Sequence, residues 1–313
     1  MRTNICSKAE RRGDKGRSGG GARRPWRVWL ALACMFAMAC AAAAQETGGD
    51  VAAQLQRMQS SVQKNGKLQQ QFTSDEIWHN VNYGKNGTKT VDESAKYENV
   101  FVEGLPYRKK VESNGKPLNG KAAEKEEKRY EKAVEERRGM SIAQKRHWWR
   151  MGFTYSLPIC CLTTLFDNRI VRHETIGGRD TIVVESTPKP DAKPANDAEK
   201  SSLNWKETTW IDTADAMPTR IEVESLTDAG HFAKGMTTRI DFTRLVDSPL
   251  PDGQPQQTVW LQQSVVSKFH FKLMWMGVSG ETDQTWSNFK RFHVDLRLLE
   301  DSVEEVPQGQ TQP

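Results

Sequence analysis

Hydrophobic and polar residues alternate most persistently over residues 259–276. One row of side chains reads Val259, Leu261, Gln263, Val265, Ser267, Phe269, Phe271, Leu273 and Trp275. The other reads Trp260, Gln262, Ser264, Val266, Lys268, His270, Lys272, Met274 and Met276. A period of two belongs to a strand, with the large apolar row against an apolar space and the mixed row toward water. Strands usually run ~5–6 residues, so one this long must be bent, bulged or part of a strongly curved sheet.

The same patterning organises the rest of the chain. Asp50 is a fitting N-cap for a helix whose stripe is Val51, Leu55, Met58 and Val62, with Asn65-Gly66 as its stop. Strand patterns follow at 70–82, 88–97, 97–102 and 107–112, divided by Asn86-Gly87, Gly104 and Asn114-Gly115. Residues 120–139 form a highly charged helix with a thin apolar line of Ala123, Tyr130 and Val134. That helix reads as a solvated surface element, or alternatively as a partner-binding arm or lid. Ser141 and Gln144 make a capping box, and a second short apolar helix is expected over 159–166, carrying Leu162 and Phe166. A meander of strands then occupies 169–175, 181–186, 206–212, 219–227 and 236–246, with a long polar loop at 187–203. After the 259–276 strand, a turn is expected at 277–281 and strands at 282–290 and 291–299. Strands joined by turns rather than helices imply an antiparallel sheet.

Charge is deceptive until the first residues are set aside. Residues 1–27 are basic, 28–40 apolar, and 41–44 four alanines, the order of a secretory signal with cleavage between Ala44 and Gln45. The sequence Ala37-Met38-Ala39-Cys40 also admits lipidation at Cys40. Nine of the 45 basic and two of the 40 acidic residues precede Gln45. The remainder therefore carries 36 against 38, close to neutral, and gives no footing for a nucleic-acid partner. The expected organisation is a signal peptide over 1–44, one domain over 45–299 with the charged helical insertion, and a frayed tail over 300–313.

Candidate chemistry is sparse. Beyond the leader only Cys160 and Cys161 remain, and adjacent Cα atoms ~3.8 Å apart sit below the ~4.4–6.8 Å of an unstrained disulfide. They read as two small buried apolar groups, with a redox or metal role as the alternative. No nucleophile elbow, phosphate loop or metal motif appears. Gly177-Gly178 lies between strands, not before a helix, and Asp212 and Asp215 fall in a turn where Asp caps its own backbone. No enzyme, cofactor or metal site is expected. Large apolar side chains do recur at alternate strand positions, and few helices are available to cover them, which favours an apolar pocket.

The segment 210–222, opening Trp210-Ile211-Asp212 and returning through Pro218-Thr219-Arg220-Ile221-Glu222, resembles the outer-membrane lipoprotein-sorting (LolA/LolB-like) superfamily. Residues 97–118, Gly178-Arg179-Asp180 leading into 183–190, and 285–292 are similar to a larger envelope branch of that group. The resemblance implies an α+β fold, a strongly curved antiparallel half-barrel with short helices over its concave face. It also implies a monomeric periplasmic or envelope protein that binds a lipid or acylated lipoprotein. The competing reading is an envelope protein-interaction or sensor module. Strand alternation nominates the cavity lining as Trp210, Ile221, Val223, Leu261, Val265, Phe269, Phe271, Leu273 and Trp275, with Leu162 and Phe166 from the covering helix.

Overall fold

Two-residue turns fold the amphipathic segments into hairpins. At Asn114-Gly115 and Gly177-Gly178 both central residues have positive φ, 50° and 71°, then 57° and 77°. This is the backbone a right-twisting hairpin needs and the one Gly and Asn tolerate. The computed structural model describes residues 48–84, 86–145, 147–148, 161–228, 233–246, 257–273 and 276–291. Among these, the strands are β1 (Phe72–Tyr83), β2 (Lys89–Val102), β3 (Leu105–Ser113), β4 (Lys116–Pro117), β5 (Phe166–Ile176), β6 (Arg179–Pro188), β7 (Trp205–Asp212), β8 (Met217–Ser225), β9 (Thr237–Val246), β10 (Thr258–Leu273) and β11 (Met276–Arg291). The helices are α1 (Gly48–Gln69), α2 (Gly120–Arg138), α3 (Leu162–Leu165) and α4 (Asp197–Ser202).

All the strands join one open antiparallel sheet, in the order β4-β3-β2-β1-β11-β10-β9-β8-β7-β6-β5. Strands β5 to β11 are an unbroken meander, and β11 then pairs with β1 along most of its length. The chain thus passes from one sheet edge at β4 to the other at β5 through α2 and the residues after it.

The expected antiparallel sheet with short helices is the observed fold, and the differences are local. Helix α1 does not stop at Asn65-Gly66 but runs to Gln69. Asn65 is occupied elsewhere: its amide donates to the Trp260 carbonyl at 2.7 Å and accepts from the Trp260 N–H at 2.8 Å. Gln69 donates to the same carbonyl at 2.7 Å. These bonds fill the side of β10 that β11 reaches only from Ser264 onward, so a tertiary contact overrides the local stop signal. Phe166 opens β5 instead of closing a helix. The loop at 187–203 contains α4, capped by the Asn196 side chain accepting from the Glu199 N–H at 2.9 Å. The turn expected at 277–281 is strand, because the reversal lies between Leu273 and Met276, which pair with each other. The Ser141–Gln144 capping box is reciprocal as expected, at 2.8 and 3.3 Å.

The core lies between α1, α3 and one face of the β5–β10 half of the sheet. Val51, Leu55 and Met58 pack with Leu162, Leu165 and Phe166 over Ile182, Val184, Ile211, Ile221 and Ile240, each at most 9 % exposed. On the other half, α2 lies along β2 and β3 and buries none of its own residues.

Candidate ligand-binding face

Cross-strand register decides which side chains share the α1 face. Ile182 pairs with Ile211, Thr209 with Ile221, and Ile221 with Ile240, which in turn pairs with Val265. Directly opposed residues point the same way, so these rows run unbroken beneath α1. Of the nominated residues, Leu162, Phe166 and Ile221 belong to the buried cluster, and Val223 and Val265 pack half-buried against it.

Trp210 does not join them. It pairs with Arg220 and Val183, one position out of phase with Ile221. Its ring lies on the opposite face, with the guanidinium groups of Arg172 and Arg220 at 5.6 and 5.5 Å from its centroid. Its indole N–H donates to Glu174 at 3.0 Å. Burial of Trp210 is therefore met by cations and a carboxylate, an arrangement that suits an indole face and edge.

A bulge separates Leu261 from the rest of its row. Gln262 pairs with Phe242 and Ser264 with Asp241, which leaves Gln263 as the extra residue. Leu261 then opposes Thr243 while Val265 opposes Ile240, three residues away and hence on the other face. Both Leu261 and its neighbour Trp260 are buried. Phe269 pairs with Gly280 and sets its ring tip over it, where a Cβ would stand 2.5 Å from the ring. Phe271 and Leu273 continue the backbone of β10, pairing with Val278 and Met276. Trp275, Cys40, Ala44 and Gln45 lie outside the described residues.

The α1 face contains one ionisable group that the alternation pattern did not flag. Glu207 is 3 % exposed, opposite Ser186 and Val223. Burial pushes its pKa up to about 7, against a lowering contribution from the Thr209 hydroxyl, which donates to it at 2.6 Å. Counting by twos back from Ile211 reaches Thr209 and Glu207, so the signal was present in the sequence.

A second polar cluster explains the turn at 213–216. Arg179 reaches from the β5–β6 turn to both carboxylate oxygens of the buried Asp212, through Nε and, at 2.8 Å, through Nη2. The backbone N–H groups of Ala214 and Asp215 donate to Asp212 Oδ1 at 3.1 and 2.7 Å. Asp212 thus caps its own turn, as its position in the sequence suggested. Asp215 feels a raising effect of burial, but hydrogen bonds from Arg244 and Trp260 and the charges of Arg179 and Arg244 outweigh it and lower its pKa. Each carboxylate is thus engaged by structural donors, Asp212 through both oxygens and Asp215 through Oδ2. An open groove of about 530 Å³, lined mainly by polar residues such as Gln56, Arg57, Ser60 and Lys64, runs between this turn and the outer side of α1. Among the described residues, no group of three His, Cys, Asp or Glu is placed to hold a metal ion, and no helix is long and apolar enough to cross a membrane.

No family model and no curated protein matches the chain. Among solved structures, it is similar to a putative outer membrane lipoprotein-sorting protein domain from Vibrio parahaemolyticus, with 12% identity over 81% of this chain and 97% of that one, at a TM-score of 0.33. It is also similar to a LolA superfamily protein from Nitrosomonas europaea, with 11% identity over 77% and 96% and a TM-score of 0.27. MucB of the Pseudomonas aeruginosa MucA/MucB complex matches with 12% identity over 78% and 100%, at 0.22. Scores of this size carry no argument for function.

Proposed function

We propose that this chain is a non-enzymatic binding protein of the cell envelope that takes a lipid or acylated ligand on the apolar face beneath α1. The observation that carries the reading is the continuity of that face. Ile182, Val184, Ile211, Ile221, Val223, Ile240, Phe242 and Val265 come from five successive strands, and the narrow stripe of α1 covers them together with the single turn of α3. Envelope placement rests on the basic and apolar leader before Gln45.

In the free protein the side chains of α1 occupy this face, so a ligand must displace them. Re-exposing Val51, Leu55 and Met58 costs about 1.5–3 kcal/mol each, or roughly 6 in total, while an acyl chain regains about 0.8 kcal/mol per buried CH₂. Break-even falls near eight methylenes. The bonds from Asn65 and Gln69 to Trp260 tether the C-terminal end of α1, which leaves its N-terminal half as the part that lifts.

The test is a titration with saturated fatty acids of graded length, read by native mass spectrometry and competition with a fluorescent fatty acid. Binding is expected only for chains longer than about eight methylenes. Absence of binding at every length would sink the acyl reading. It would leave the second reading, an envelope protein-interaction module, which is favoured by the closed packing of α1 on its face.

A further inference from the structure

The outer edge of β3 is answered by side chains of α2, not by another long strand. Past β4, which pairs with Glu112 and Ser113, and the Leu118 N–H, which donates to the Val111 carbonyl at 2.9 Å, no strand among the described residues pairs with β3 on that side. Glu126 accepts from the Lys110 N–H at 3.1 Å, Arg129 donates to the Arg108 carbonyl at 2.5 Å, and Arg137 donates to the Leu105 carbonyl at 3.0 Å. Three residues of one helix thus stand in for the hydrogen bonds of a neighbouring strand. An open strand edge is a template for pairing, and proteins commonly cover such edges.

The manner of docking sets α2 apart from α1. No residue of α2 is buried. It is held by the Tyr107–Tyr130 edge contact at 5.4 Å, by the Tyr107 hydroxyl donating to Glu126 at 3.0 Å, and by cations over these two rings. These contacts centre on one side chain of the sheet, Tyr107, which is 7 % exposed beneath Tyr130, Arg129 and Arg137 of α2.

We propose that the outer edge of β3 is a strand-addition site for an extended acidic peptide, and that α2 is the displaceable guard occupying it in the free protein. The acidic preference follows from charge. β3 carries Arg108, Lys109 and Lys110 in succession; the Arg108 guanidinium is taken by Glu76, whereas α2 sets Glu126 on the Lys110 N–H and Glu127 3.6 Å from the Lys109 ammonium. A strand replacing α2 must resupply those carboxylates. A second copy of β3 would instead set like charges against each other, which is unfavourable across a strand pair. The site is on a different element from the acyl face and stands whether or not that face binds lipid.

The experiment uses the mature chain, the Glu126→Ala/Arg129→Ala/Arg137→Ala variant, and two peptides of about ten residues, enough to run the length of β3. One peptide alternates Thr with Glu and the other Thr with Lys. The acidic peptide should bind the variant at least about tenfold more tightly than the unaltered chain. It should also slow hydrogen exchange at β3 amides, while the Lys peptide should not bind. Equal affinity for both proteins, or protection confined to other strands, would overturn the proposal. So would concentration-dependent dimerisation of the variant without peptide, since that makes a second copy the occupant. If the triple variant fails to fold, Arg129→Met alone is expected to raise affinity about threefold, and no gain there would also overturn it.

Discussion

Glu207 makes stability depend on pH in the direction opposite to that of a salt-bridged carboxylate. Its pKa rises from 4.5 to about 7 because the side chain is buried against apolar strands with one hydroxyl donor. The folded protein therefore holds this proton more tightly than the unfolded chain does. Between pH 4.5 and about 7 the folded state binds more protons, so stability falls as pH rises. The contribution is fully present below 4.5 and lost above about 7. A difference near 2.5 units at about 1.4 kcal/mol each amounts to about 3 kcal/mol. Glu207→Gln keeps the volume and an acceptor for Thr209 but removes the charge. Urea unfolding of both proteins at pH 4.5, 6, 7 and about 8, followed by Trp fluorescence, isolates the effect, because other titrations cancel in the difference. The two should be of similar stability at the acid end, with the variant ahead by about 3 kcal/mol at the alkaline end. A gap that does not change with pH would refute the reasoning.

Three further substitutions test the packing. Gly280→Ala should cost about 1–3 kcal/mol, read as a fall in melting temperature. Adding Phe269→Ala should not restore it, because the Val81 carbonyl would still lie 2.6 Å from the new Cβ; full recovery would show that only the ring mattered. Asn65→Ala should cost about 1–3 kcal/mol and speed hydrogen exchange at the Trp260 amide, which loses its acceptor. A Trp260 amide that stays protected would contradict this. Asp212→Ala should cost about 2 kcal/mol, whereas Asp180→Ala should change stability by less than about 0.5. Among the described residues Asp180 is engaged through its backbone, in the ladder with Thr175 and by the N–H and hydroxyl of Thr213 on its carbonyl, so equal losses would refute the assignment.

Much of the fold was legible in the sequence because its signals are local. The stripe Val51, Leu55, Met58 marks the buried face of α1, and the Asn-Gly and Gly-Gly turns mark the hairpins. What was not legible depends on register. Alternation places Trp210 and Ile221 each on a face of its own strand, but only pairing tells whether those faces coincide. Here Trp210 meets Arg220, and Thr219, whose hydroxyl donates to the Trp210 carbonyl at 3.3 Å, is a bulge residue between them and Pro218. The bulge at Gln263 has the same effect within β10. A count by twos through either position exchanges the two faces without leaving a trace in composition.

The two long helices show why amphipathicity alone did not separate their roles. The thin apolar line of α2 reads as a solvated face, yet its charged residues are what engage the protein, through backbone groups of β3 that no sequence pattern displays. Burial of Val51, Leu55 and Met58 gives α1 roughly 6 kcal/mol of contact, whereas exposed ion pairs contribute about 0.2–1 kcal/mol each. The edge guard can therefore open while the apolar face stays covered. An acidic strand could reach β3 without disturbing α1, and a long acyl chain could lift α1 without releasing β3. On these two proposals one sheet would carry two separable binding surfaces, the first governed by charge and backbone pairing, the second by chain length.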